Sequence, residues 1–168
     1  MSLYNRRKIV LMLSALGALG TLGACGFQPA YGPSGPATNL QGAIEVDAPN
    51  TRDGFNFVRH LEERLGQPQA AKFALSYTLS LSEDDLGITP AQSITRYNVL
   101  GAVDYALRET NTGTVVHSGS VNAFTSYSAT GTTVSTQTAK RAAYARLMVI
   151  LADQITTRLI ATSAGWAQ

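Results

Sequence analysis

"KFALSYTLSL", residues 72 to 81, alternates with a period of two: Phe73, Leu75, Tyr77, Leu79 and Leu81 point one way, and Lys72, Ala74, Ser76, Thr78 and Ser80 the other. Such a strand buries one face and keeps the other polar, as in an antiparallel sheet covered on one side. Downstream, Glu83, Asp84 and Asp85 read as an acidic turn, followed by a loop through Pro90. "TRYNVLGAVDYALRE", 95 to 109, is a second long strand with Tyr97, Val99, Val103, Tyr105 and Leu107 on one face. "TNTG", 110 to 113, signals a hairpin, and "TVVHSGSVNAFTSYS", 114 to 128, returns as a third strand whose alternation is weaker because both faces are small or polar.

"ATGTTVSTQT", 129 to 138, reads as a Ser/Thr/Gly-rich loop. Beyond it, Ala139 to Ile160 has no Gly or Pro, and Tyr144, Leu147, Leu151, Ile155 and Leu159 recur at helical spacing, with Met148 widening the apolar side. Upstream, Leu40 to Val46 is a short first strand. In "PNTRDGFNFVRHLEERLG", Asn50 or Thr51 caps a helix whose apolar positions are Phe57, Val58, Leu61 and Leu65, and Gly66 stops it. Arg59 with Glu62 or Glu63 gives that helix a solvated face. The order is βαβββα. It predicts an α+β fold of two layers, a mostly antiparallel four-stranded sheet with two helices on one face, and neither an internal repeat nor a second domain.

The N-terminus reads differently. Arg6, Arg7 and Lys8 precede an apolar run from Ile9 to Leu22, the layout of a secretory signal and short for a transmembrane span. Leu22, Gly23, Ala24 and Cys25 resemble a bacterial lipobox, in which Cys25 becomes the lipid-modified first residue of the mature chain. As the sole cysteine, Cys25 has no disulfide partner within the chain and no neighbouring zinc ligands. Gly26 stands where an aspartate would argue for inner-membrane retention, so outer-membrane delivery is expected. The predicted organisation is a signal peptide at 1–24, a lipidated Cys25 and flexible tether at 25–39, one domain at 40–161 and a C-terminal tail at 162–168. Phe27 and Tyr31 in the Gly/Pro-rich tether read as membrane-interface residues or as contacts to a partner.

Removing residues 1–24 leaves 144 of 168 residues and takes away three of the 13 basic side chains, so 10 Lys and Arg face 11 Asp and Glu. No basic field exists to hold nucleic acid. His60 reads as a surface residue, and His117, sharing a strand face with Val115, Gly119 and Val121, as a partly buried, satisfied one; neither has metal ligands at useful spacing. "HSGS", 117 to 120, lies in a strand and lacks the elbow that a serine nucleophile needs. Glu83 to Asp85 lacks the ligand alternation of a calcium loop, and no phosphate-binding glycine loop is present. The expectation is therefore no catalytic residue, no metal and no cofactor. One absence is informative: Thr110 to Ala139, 30 residues, contains no Lys, Arg, Asp or Glu. Such a segment suits burial against another protein or in a polar cavity, or else a solvated Ser/Gly loop.

The lipobox with "CGFQPAYG", the strand pair "ITRYNVLGAVDYALRETNTGTVVHSGSV" and the closing helix "AKRAAYARLMVILADQITTRLIA" together resemble the LPS-assembly lipoprotein LptE family in its alphaproteobacterial form. The resemblance implies a non-enzymatic outer-membrane lipoprotein that plugs the LptD β-barrel, assists its assembly and contacts lipopolysaccharide. Its partners would be LptD, lipopolysaccharide and, through the lipid on Cys25, the membrane. Phe27 and Tyr31 would lie where the tether meets barrel or lipid, and Thr132 and Thr133 in the hydroxyl-rich loop would contact the barrel. The family's lipopolysaccharide contacts are basic. Candidates are Arg96 at the opening of a strand, and Lys140 with Arg141 at the expected start of the last helix, where cations oppose the helix dipole. Two other classes stay open: an auxiliary lipoprotein of another periplasmic lipid-transport complex, and a lipid-anchored hydrolase.

Overall fold

The computed structural model describes residues 30–32, 35–88 and 94–167. Cys25, Phe27 and the signal segment lie outside them. A short helix α1 (Pro36–Leu40) leads to β1 (Ile44–Val46), α2 (Arg52–Leu65), β2 (Phe73–Ile88), β3 (Ile94–Glu109), β4 (Val115–Ser128) and the long α3 (Thr133–Thr162), closed by a 3₁₀ turn at Ser163–Gly165. The sheet order is β1-β2-β3-β4, with β1 parallel to β2 and the other pairs antiparallel. The α+β, mostly antiparallel sheet expected from the alternation is therefore the one found.

Covering of one face follows directly from the pattern. Register places Leu75, Leu107 and His117 in one row and Leu79, Val103 and Val121 in another. Val99, Val103, Leu107 and Val121 are fully buried together with Leu147, Met148, Leu151, Ile155 and Leu159 of α3. Each such side chain contributes roughly 1.5–3 kcal/mol through burial. Gly101 lets α3 come this close: a Cβ there would meet Leu151 Cδ1 at 2.9 Å and Leu147 Cδ2 at 3.0 Å. Helix α3 is long and apolar enough to cross a membrane by composition, yet its apolar stripe is the core of this domain.

Helix α2 matches its sequence signals. Thr51 is the cap, its hydroxyl accepting from Gly54 N at 3.0 Å, and Phe57, Val58, Leu61 and Leu65 are buried. Gly66 stops the helix at φ +80°, a conformation that a side chain would strain.

Four expectations are corrected. Leu40 ends a helix rather than opening a strand; it is buried with Ala37, and β1 begins only at Ile44. Glu83, Asp84 and Asp85 continue β2 instead of turning, since they pair with Val99, Asn98 and Tyr97 across the ladder. Third, residues 133–138 of the supposed loop are helical. Ser and Thr are indifferent helix formers but strong caps, and Thr132 accepts from Ser135 N at 3.3 Å. Lys140 and Arg141 consequently lie about two turns inside α3, where the dipole of the helix end no longer acts on them. Finally, Val115 does not share the face of His117, because a bulge between Leu107 and Arg108 breaks the alternation there, leaving Val115 exposed. The chain beyond α3 folds back: Ser163 is buried, and Trp166 meets Phe73 edge-on with ring centroids 5.2 Å apart.

Candidate interaction surfaces

At one end of the covered face, the first residue of the acidic run Glu83 to Asp85 becomes part of a built cluster. Glu83 points under α3, where Lys140 Nζ donates to its Oε2 at 2.9 Å and Tyr127 OH donates to Oε1 at 3.4 Å. Tyr97 stacks on Tyr127 at 5.2 Å, and Lys140 lies 5.8 Å from the ring centre of Tyr144. Burial first, and then the neighbouring Glu83 carboxylate, pushes the Tyr127 phenol up to about 12. The hydrogen bond to Glu83 likewise raises Lys140 above its ordinary value. Lys140 is thus a partnered charge that ties α3 to β2. The sequence could not show this, because the two residues are 57 positions apart.

Beside it, a groove of about 620 Å³ runs between the first turn of α2 and α3. Arg52, Asp53 and Asn56 line one wall and Lys140, Arg141 and Tyr144 the other. Two of the three predicted basic residues therefore meet here, joined by Arg52, which sequence reasoning missed. Its only signal was a place at the start of a capped helix. Arg96 does not line the groove; it is exposed on β3, opposite Gly87 and Ser128. Among the described residues, neither Arg96 nor Arg141 forms an ion pair. Thr132 and Thr133, the predicted barrel contacts, are exposed as the cap and first residue of α3, and Tyr31 is also exposed.

The far end of the same face is aromatic. His117 Nε2 lies 3.3 Å from Tyr105 OH, and its ring stacks on Trp166 at 6.3 Å. Burial raises Tyr105, and nearby Arg158 opposes that rise. Arg158 donates to Ser120 O and Arg146 to Ser126 O, so two α3 side chains cap carbonyls along the edge of β4. His117 is the satisfied, half-buried residue expected. His60 is half-buried and meets Glu63 at 2.9 Å. Among the described residues, no group of three or more His, Cys, Asp or Glu could hold a metal ion.

On the other side of the sheet, among the described residues, no element covers the strands. Leu100 and Phe124 are register partners there, and Phe124 is 68 % exposed. Around them a shallow depression of about 640 Å³ is lined by Ser80, Ser82, Ala102 and Asn122. Charge divides between the layers: α2 and α3 carry seven cations against four carboxylates. The rest of the described chain carries three cations against seven carboxylates.

The fold recurs in solved lipoproteins. A putative lipoprotein from Caulobacter crescentus CB15 shares 24% identity, covering 77% of this chain and 96% of that one with a TM-score of 0.61. The rare lipoprotein B from Shewanella oneidensis shares 16%, covering 73% and 95% with a TM-score of 0.58. A lipoprotein B from Nitrosomonas europaea shares 13%, covering 73% and 84% with a TM-score of 0.56. Among curated proteins, none matches the chain significantly in sequence. The family model described as LptE, lipopolysaccharide-assembly, matches residues 42–159, a span that holds all four strands and α2 with nearly all of α3. The chain belongs to the LptE lipopolysaccharide-assembly family.

Proposed function

We propose that the mature chain is a lipid-anchored outer-membrane subunit of the lipopolysaccharide translocon. It sits within the LptD β-barrel, assists that barrel's assembly and contacts lipopolysaccharide during delivery. The observation that carries this reading is the family match over 42–159, which spans the folded domain rather than a fragment of it. Cys25 would hold the acyl chains, with Phe27 and Tyr31 near the point where the tether meets barrel or lipid.

The groove chemistry supports an anionic ligand. A guanidinium offers a fork of donors to a phosphate, and Arg52 and Arg141 place one on each wall. Lys140 lines the same groove but is already engaged with Glu83, so Arg141 is the better contact of the adjacent pair. Arg96 would supply a separate contact on β3. No step of bond making is involved, so binding and placement are the whole of the role.

The test is purification of the tagged full-length chain from detergent-solubilised membranes, with mass measurement of the mature N-terminus. Co-purification of a large β-barrel and added lipid mass on Cys25 are expected. A soluble chain without lipid, or a lipidated one that brings down a different lipid-transport complex, would sink the reading.

A further inference from the structure

The two edges of the sheet differ. On β4, Arg158 and Arg146 of α3 donate to Ser120 O and Ser126 O, so the helix occupies carbonyls that a foreign strand would need. On β2, Phe73 N donates to Ala43 O and Leu75 O accepts from Asp47 N, so odd residues turn their backbone groups away from β3. That cover is short, because β1 pairs only with Phe73 to Leu75. Among the described residues, nothing bonds the outward N–H and C=O groups of Tyr77, Leu79 and Leu81. A recess of about 480 Å³ opens against them, walled by Asp47, Thr51 and Asp53.

From this edge we propose a docking site for an extended, basic segment of another protein, which adds to the sheet beside β2 where β1 stops. It is a different contact from any with a barrel wall, since the strands of a closed barrel have no free edge to offer. Each outward residue of β2 presents one donor and one acceptor, and main-chain pairing supplies the affinity. Charge selects the occupant. Asp47 and Asp53 are the charged side chains lining the recess, and Asp84 and Asp85 stand exposed farther along the strand. Burial first, and then the Asp47 carboxylate, raises the Tyr77 phenol, so that charge is felt at the edge itself. The nearby cations are engaged or set apart: Lys140 bonds Glu83, Arg52 lines the groove between α2 and α3, Arg96 stands on β3 opposite Gly87, and Lys72 precedes β2 at the end that β1 covers.

Other occupants fit this edge less well. The N-terminus of α2 opens nearby, but Thr51 Oγ1 already accepts from Gly54 N and Asp53 lies in the first turn, so its positive end is met from within the chain. An anionic ligand would face both carboxylates. The chain's own segments at 25–39, 89–93 and 162–168 hold no Lys or Arg to offer. A second copy paired antiparallel along β2 would set Asp47 and Asp53 of one chain against Asp84 and Asp85 of the other.

The test titrates the mature full-length chain, in detergent, with a fluorescent peptide in which lysine alternates with valine and threonine. Anisotropy reads binding, and amide exchange followed by nuclear magnetic resonance reads where it occurs. Exchange at the Leu79 and Leu81 amides should slow by roughly tenfold or more at saturation, as for amides entering a ladder. A peptide with glutamate in place of lysine should not bind. One N-methylated at alternate residues keeps its charge but loses its ladder donors, and should bind far more weakly. Asp47→Asn, an isosteric change at an exposed position, should keep the melting temperature and weaken the lysine peptide by about fivefold, the scale of one exposed charge pair. Equal binding of the glutamate or N-methylated peptide, an unchanged affinity in Asp47→Asn, or protection confined to other strands would overturn the proposal. Protection of Leu79 and Leu81 that rises with chain concentration in the absence of peptide would overturn it in favour of a second copy.

Discussion

Ala102 and Val103 are consecutive residues of β3, yet they lie in different surroundings. Val103 is fully buried beneath α3 in the row of Leu79 and Val121, whereas Ala102 looks outward between Ser80 and Asn122. The same division runs along the sheet: branched and aromatic side chains meet helices on one side, and hydroxyls stand uncovered on the other. Stability is concentrated where water is excluded, and the outer side is left open to binding chemistry. The cost of changing a residue should therefore depend on the parity of its position more than on its place along the strand.

The largest expected effect tests that parity directly. Val103→Asp would bury a carboxylate among aliphatic side chains without a partner and should cost about 3–5 kcal/mol, enough to unfold most of the chain at physiological temperature. Ala102→Asp, one residue away, should melt close to the unmodified protein. Equal melting temperatures would abolish the distinction between the two faces.

An intermediate effect should appear in alkali. Tyr127, raised to about 12, and Lys140, also raised, both favour their protonated forms in the folded state. Their contribution is thus complete below their ordinary values near 10 and is lost as pH climbs through the folded ones. Stability should be flat through neutrality in respect of this cluster and fall by on the order of 2 kcal/mol between about pH 10 and 12. Denaturant titrations across that range are the measurement. Glu83→Gln removes the carboxylate and should flatten the fall, and identical alkaline slopes in the two proteins would show that the cluster does not couple α3 to β2.

The smallest effect belongs to the uncovered face. Phe124→Ser removes an exposed ring whose cross-strand partner is Leu100, and chemical denaturation should register a change of about 0.5 kcal/mol. A loss of 2 kcal/mol or more, on the scale of a core truncation, would mean that this face stores stability of its own.

Sequence signals located most of the elements because each signal is local. The alternation from Phe73 to Leu81 and the run from Tyr144 to Leu159 record which side of each element meets the core, and Thr51 and Gly66 mark the ends of α2 by the backbone groups they satisfy or the φ they permit. The candidate surfaces were less legible. Arg141 could be named as a cation, but not as one wall of a groove with Arg52 on the other, since nothing near residue 141 reports what folds against it.

By itself, then, the sequence determined the two-layer build and the buried stripe of each long element, since these follow from periodicity and residue type. Tertiary structure alone decided that β1 runs parallel to β2, that Glu83 to Asp85 extend a strand, and that the charge-poor third strand presents its polar side to one uncovered face. Three adjacent carboxylates favour a turn in water. Cross-strand pairing and an ammonium from α3 made the extended form preferable, and that ammonium reached Glu83 only because the fold brought a distant helix over the sheet.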